Sequence, residues 1–316
     1  MIKLAFILFY SIVIVFSLIG VLAFTTIYSN ALSFKYAFEN NIYCTEKYPG
    51  GDRDDCLVTK PVYQDPLPKF NLNDEDFDQQ TSRFGTFMLK SLYADDIKND
   101  SIKRLNLTLK KIINIRQHKQ QSYDFCGIWE DQTKTKLFII CTGTVGIYQW
   151  LQNLHVNQYY YNQDTSIAYP SFMKDNHAIK VHKGFLMIYS DIIERLHNVI
   201  KQYTKKGLEL YFVGHSMGGA IATILSKEYN YNGYTTCCYS FGSPRIGNGS
   251  FCDGTKNLVR VVNTEDIIPQ TPTSVTPNFI QERIPFIYSH CGYNKNFSTN
   301  LSSLYNNHSI YLYDTF

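Results

Sequence analysis

The segment Gly214-His215-Ser216-Met217-Gly218 limits what this chain can fold into more than any other stretch. An apolar run of Leu208, Leu210, Phe212 and Val213 leads into it, and Ala220, Ile221, Ala222, Ile224 and Leu225 follow as a helix-like segment. Strand, sharp turn and helix around Gly-x-Ser-x-Gly is the setting of a nucleophile elbow. Glycines stand two residues either side of Ser216 because a side chain there would collide across so tight a turn. The turn holds the serine in an uncommon backbone conformation, hydroxyl outward, at the positive end of the following helix. A serine-capped, glycine-rich helix start would use the same residues. That alternative needs nothing else from the chain, whereas an elbow needs a base, an acid and donors for an oxyanion.

Bulk properties narrow the setting. The 316 residues are 44% apolar and 18% charged, enough for one large or two small cores, and the formal net charge is only +3. Basic runs stop at pairs such as Lys110-Lys111 and Lys205-Lys206, which argues against nucleic acid as a partner. Lys3 precedes an uncharged run from Leu4 to Phe24, with Val21-Leu22-Ala23 as a cleavage site for a signal peptide over residues 1–23. The run is also long enough to span a bilayer, so a retained anchor over residues 4–24 is the rival reading. Either way the remainder is translocated, and secretion or an endomembrane lumen is expected.

The eight cysteines fit that compartment: Cys44, Cys56, Cys126, Cys141, Cys237, Cys238, Cys252 and Cys291. No CxxC pair and no Cys/His cluster at zinc spacing occurs, so disulfides are expected rather than a metal. Cys44 and Cys56 bracket a Pro-Gly-Gly turn and are the first pairing expected. Asn99, Asn106, Asn248, Asn296, Asn300 and Asn307 each begin a glycosylation sequon.

Along the chain, residues 24–73 read as an irregular extension, and a domain over 74–316 follows. A helix is expected from about Asp74, with Phe77, Phe84, Met88 and Leu92 on one face and helical charge continuing through Lys110-Lys111. Ser122–Trp129 and Leu137–Cys141 read as a hairpin around a polar turn at Asp131–Lys136. That register sets Cys126 opposite Cys141, as either a cross-strand disulfide or two buried thiols. After Cys141-Thr142-Gly143-Thr144, the residues Ile147, Trp150, Leu151 and Leu154 form a short amphipathic helix, either a lid or a packed surface helix. Phe185, Ile188, Ile192, Leu196, Val199 and Tyr203 mark another helix. Tyr234–Phe241 and Leu258–Asn263 complete an alternation of strands and helices. This is an α/β fold with a mostly parallel sheet, whose functional groups gather beyond the strands' C-terminal ends.

With that chain order an acid and then a histidine should follow Ser216. Asp266 closes a Val-rich strand before Ile267-Ile268-Pro269 and is preferred, with Glu265 as runner-up; Asp253, in a Cys-Asp-Gly turn, reads as a self-capping residue. Two histidines remain, His290 and His308, and position favours His308. His215 cannot reach its neighbour's hydroxyl while the elbow is formed.

These residues resemble the class 3, fungal-lipase-like family of the α/β-hydrolase fold. The matching motifs are Thr142-Gly143-Thr144, Val181-His182-x-Gly184-Phe185, Gly214-His215-Ser216-Met217-Gly218-Gly219 and Phe241-Gly242-Ser243-Pro244-Arg245-Ile246-Gly247-Asn248. They continue with Arg260-Val261-Val262-Asn263, Asp266-x-Ile268-Pro269, Tyr288-x-His290 and His308-x-x-Tyr311. The resemblance implies Ser216 as nucleophile, Asp266 as acid and His308 as base, with His290 a structural neighbour of the site. It implies Thr144 and the Met217 N–H as the oxyanion hole, with no cofactor and no metal. It also implies a lipid or small ester as substrate, met at a lipid–water interface, with a triacylglycerol lipase as the expected activity. A phospholipase, a feruloyl-type esterase and a catalytically inactive binding protein are the alternatives. Thr142 and Asn153 stand where the family often has arginine and aspartate.

Overall fold

The computed structural model describes residues 62–68, 77–97, 100–116, 122–143, 157–203, 207–276, 284–299 and 306–314. All of them fall in one compact unit, Thr59–Val145 with Asn153–Phe316. The signal or anchor segment, the Cys44–Cys56 pairing, Thr144 and the lid helix lie outside the described residues. Among the described residues, no helix is long and apolar enough to cross a membrane.

The secondary structure runs α1 (Gln79–Tyr93), α2 (Asp100–Arg104), β1 (Thr108–Arg116), β2 (Ser122–Glu130), β3 (Lys136–Cys141), β4 (Gln158–Tyr159), β5 (Val181–His182), α3 (Lys183–Ile200), β6 (Glu209–His215) and α4 (Met217–Tyr231). It ends with β7 (Thr235–Phe241), α5 (Gly249–Cys252), β8 (Leu258–Asn263), β9 (Val275–Thr276), β10 (Phe286–Ile287) and β11 (Tyr293–Phe297). The main sheet has the order β1-β2-β3-β6-β7-β8-β11. β1, β2 and β3 pair antiparallel, and β3, β6, β7, β8 and β11 pair parallel. The inner parallel strands β3, β6, β7 and β8 are buried along almost their whole length because helices cover both of their faces. α1 lies on one face, where Phe84 and Met88 join Phe138, Ile140, Tyr211, Val213, Phe241 and Val261 in one buried cluster. α4 packs on β3, β6 and β7 and against α3.

The expected hairpin forms, with Cys126 opposite Cys141. Both thiols are free and buried, as are Cys237 and Cys238. Cys252 and Cys291 are disulfide-bonded instead, tying α5 to the start of β11. The expectation of helix through Lys110-Lys111 is corrected: these lysines lie in β1. β1 is an edge strand, where lysines block pairing with another chain, and Lys110 Nζ reaches Glu130 Oε2 on β2 at 3.1 Å. The helix expected from about Asp74 is α1, which starts only after Asp78 and ends at Tyr93. The Asp78 carboxylate accepts from the Thr81 N–H at 2.7 Å, which leaves Phe77 ahead of the helix.

Candidate active site

β6 delivers Ser216 to the C-terminal edge of the sheet, and α4 begins with the next residue. Ser216 has φ 58° and ψ −129°, a conformation that costs a non-glycine residue roughly 1–3 kcal/mol. The packing explains how it is held. The Ser216 N–H donates to the Phe241 carbonyl at the end of β7, at 2.9 Å. A methyl group on Gly214 would lie 2.2 Å from the Gly218 carbonyl oxygen, and one on Gly218 would lie 2.2 Å from that of Cys141. Both glycines are therefore required by close backbone approach, across the turn and against β3. Met217 is the first residue of α4, so its N–H has no partner within the helix and lies at the positive end of the helix dipole.

Three residues past β8, Asp266 is buried at 1% exposure. Its Oδ1 accepts from the Ile268 N–H at 2.9 Å, and its Oδ2 faces His308 Nδ1 at 2.6 Å. The hydrogen bond sets the imidazole's direction: with Nδ1 on the carboxylate, Nε2 points away from it. His308 Nε2 and Ser216 Oγ are both buried and have no hydrogen-bond partner among the described residues. Tyr313 also donates to Asp266 Oδ2, at 3.2 Å. Burial, and then the Asp266 charge, raise the Tyr313 hydroxyl well above its usual range, so it stays a donor.

The other candidates lie elsewhere. Glu265 is exposed, 3.3 Å from Ser298 Oγ. Asp253 caps the end of α5, and its carbonyl accepts from Lys227. His290 is 3.5 Å from Arg260 Nη2 and makes no contact with Asp266. His182 caps α3, its Nδ1 accepting from the Gly184 N–H at 3.1 Å. Asn307 is buried at 3% exposure, and its Oδ1 accepts from the Thr299 hydroxyl.

Three residues of the site were not singled out by sequence reasoning. Tyr313 touches Asp266, whereas the family-like Tyr311 is exposed and lies beside Lys90. Tyr93, at the end of α1, binds both Gly143 and His215. His215 stacks on His308 with ring centroids 4.7 Å apart. Only His215 carried a signal, by adjoining Ser216; contacts across 122 residues leave no local pattern.

Comparison with known proteins agrees with this architecture. Residues 138–276 match the model of the family described as lipase (class 3). A chloroplastic phospholipase A(1) of Arabidopsis thaliana is 27% identical over 184 residues, covering 48% of this chain and 40% of that protein. A secreted mono- and diacylglycerol lipase of Fusarium solani is 24% identical over 151 residues, covering 46% and 42% respectively. The chain thus spans about two fifths of the length of these curated relatives. The solved triacylglyceride lipase of Rhizomucor miehei superposes with a TM-score of 0.51 at 19% identity, over 71% of this chain and 83% of that one, which is a likeness of fold. Residues 138–276 are thus similar to the class 3 lipase family, and the chain carries an α/β-hydrolase fold.

Proposed function

We propose that this protein is a serine hydrolase that cleaves carboxylic esters of lipids through Ser216, His308 and Asp266. One observation carries the reading: a buried Asp266–His308 pair leaves His308 Nε2 uncommitted, at the same sheet edge as the uncommitted Ser216 Oγ. His308 Nε2 takes the Ser216 proton as Oγ bonds to the ester carbonyl carbon, and Asp266 holds the imidazole's tautomer and offsets its positive charge. The oxyanion is met by the Met217 N–H and by Thr144, each donor lowering the barrier by roughly 3 kcal/mol. Collapse of the intermediate passes the proton from Nε2 to the leaving alcohol. Water then repeats the sequence on the acyl-enzyme and releases the acid.

The related proteins act on glycerolipids by name, as phospholipase A(1) and as mono- and diacylglycerol lipase. A fatty-acyl ester of glycerol is their common chemistry and is the substrate class proposed, with triacylglycerol as first expectation and phospholipid as alternative. The charge-free run after Lys3, and the word secreted in the name of the Fusarium relative, support action outside the cytosol.

The test is hydrolysis of triacylglycerol, phosphatidylcholine and short p-nitrophenyl esters by the wild type and Ser216→Ala. Loss of roughly 10⁶-fold in kcat is expected for the variant, with its circular dichroism unchanged. Turnover surviving in Ser216→Ala would overturn the mechanism. Failure of a serine-directed phosphonate to label the wild type would favour an inactive binding protein.

A further inference from the structure

Three hydrogen bonds at the sheet edge form a chain with a single consistent direction. The Gly143 N–H donates to the Tyr93 hydroxyl oxygen. The Tyr93 oxygen lies 2.9 Å from His215 Nδ1, and His215 Nε2 lies 2.9 Å from the backbone carbonyl of His308. A carbonyl only accepts, so Nε2 must carry a proton. In the neutral ring Nδ1 is then bare and accepts the Tyr93 proton, which frees the tyrosine oxygen for Gly143. A second proton on His215 would set the Nδ1–H and the Gly143 N–H as two donors on the one hydroxyl oxygen.

We infer that Tyr93 and His215 are positioning residues for ester hydrolysis, a tautomer-locked relay holding the oxyanion strand end and the His308 loop in one geometry. The inference rests on the triad reading above. Gly143 lies beside Ser216, since a methyl group on it would sit 2.8 Å from Ser216 Cβ and 2.8 Å from the Tyr93 hydroxyl. It is also the residue before Thr144. At the other end, the His308 carbonyl belongs to the residue whose ring pairs with Asp266. The relay thus joins the end of α1, the end of β3, the end of β6 and the His308 loop through side chains outside the triad.

Among the described residues, Tyr93, His308 and Tyr313 face the His215 ring. None of these supplies a negative charge, and burial together with the neighbouring His308 holds His215 well below its usual range. A neutral His215 puts no charge against the imidazolium that His308 becomes during turnover. It also does not compete with His308 for the serine proton.

The test uses the full chain with ¹⁵N-labelled histidine. The wild type should show His215 protonated at Nε2 and bare at Nδ1 at neutral pH. Tyr93→Phe removes the hydrogen donor to Nδ1 and the acceptor for Gly143. It should leave Nε2 protonated, since the His308 carbonyl still accepts from it, and lower kcat on a soluble p-nitrophenyl ester about tenfold, with KM within twofold. His215→Gln keeps an amide donor for the His308 carbonyl and should retain more kcat than His215→Leu. A wild-type His215 protonated at Nδ1, or kcat unchanged in Tyr93→Phe, would overturn the relay. So would equal losses in His215→Gln and His215→Leu. The tautomer is read without turnover, so the relay can stand or fall separately from the triad, which Ser216→Ala tests.

Discussion

Gly218 shows how tightly single positions are bound to the elbow. A methyl group there would lie 2.2 Å from the Cys141 carbonyl oxygen and 2.3 Å from that of Thr142. These contacts are backbone, so no side-chain rotation relieves them. Gly218→Ala is expected to lower the unfolding free energy by about 1–3 kcal/mol and to displace Ser216 enough to suppress phosphonate labelling. Urea denaturation and labelling rate read the two effects. A variant with wild-type stability and labelling would show that the elbow is looser than its geometry. The motif's glycines were legible in the sequence, but the reason for Gly218 was not: the clash is with the end of β3 at Cys141, far from it along the chain.

At the scale of elements, the loops after the strands are braced in several ways. The Asp266 turn is fastened by its own Ile268 N–H, and the elbow is fastened to β7 through Ser216. The Cys252–Cys291 disulfide joins α5 to the entry of β11 across a separation of 39 residues. On the loop-entropy account, closing such a loop stabilises by about 4 kcal/mol. Replacing both cysteines with serine should therefore lower the urea midpoint without altering kcat on a soluble ester, since neither residue contacts the triad. An unchanged midpoint would mean that α5 and β11 are held by packing alone. Sequence reasoning favoured other pairings because it weighed local turns and hairpin register. Cys252 and Cys291 meet only because β8 and β11 are parallel neighbours.

For the whole molecule, stability and pH are linked through His215. Its pKa is depressed in the folded state, so the unfolded chain binds the extra proton. Unfolding then gains on folding as pH falls below the unfolded histidine value of about 6.5. Above that value this group contributes no pH dependence. Below it, stability should drop by up to about 1.4 kcal/mol per pH unit, the one-proton limit, until the folded value is reached. Urea unfolding at pH 7.5, 6.5 and 5.5 should show a shallower decline for His215→Gln than for wild type. Parallel declines would place the linkage on other groups.

Much of this protein was determined by its sequence alone. Gly-x-Ser-x-Gly between an apolar run and a helical run can be satisfied only by strand, turn and helix, because hydrophobic periodicity and turn sterics are local. Chain order then ranked Asp266 and His308 above their neighbours. The tertiary structure decided what local periodicity cannot express. It turned the Lys110-Lys111 stretch into an edge strand through pairing with β2. It separated buried Asp266 from exposed Glu265, one residue away, and put His308 rather than His290 on the carboxylate. It also brought Tyr93, Tyr313 and the Cys252–Cys291 bond to their places. Those contacts join residues distant in the chain, and only the packing of helices on both faces of one sheet sets them at bonding distance.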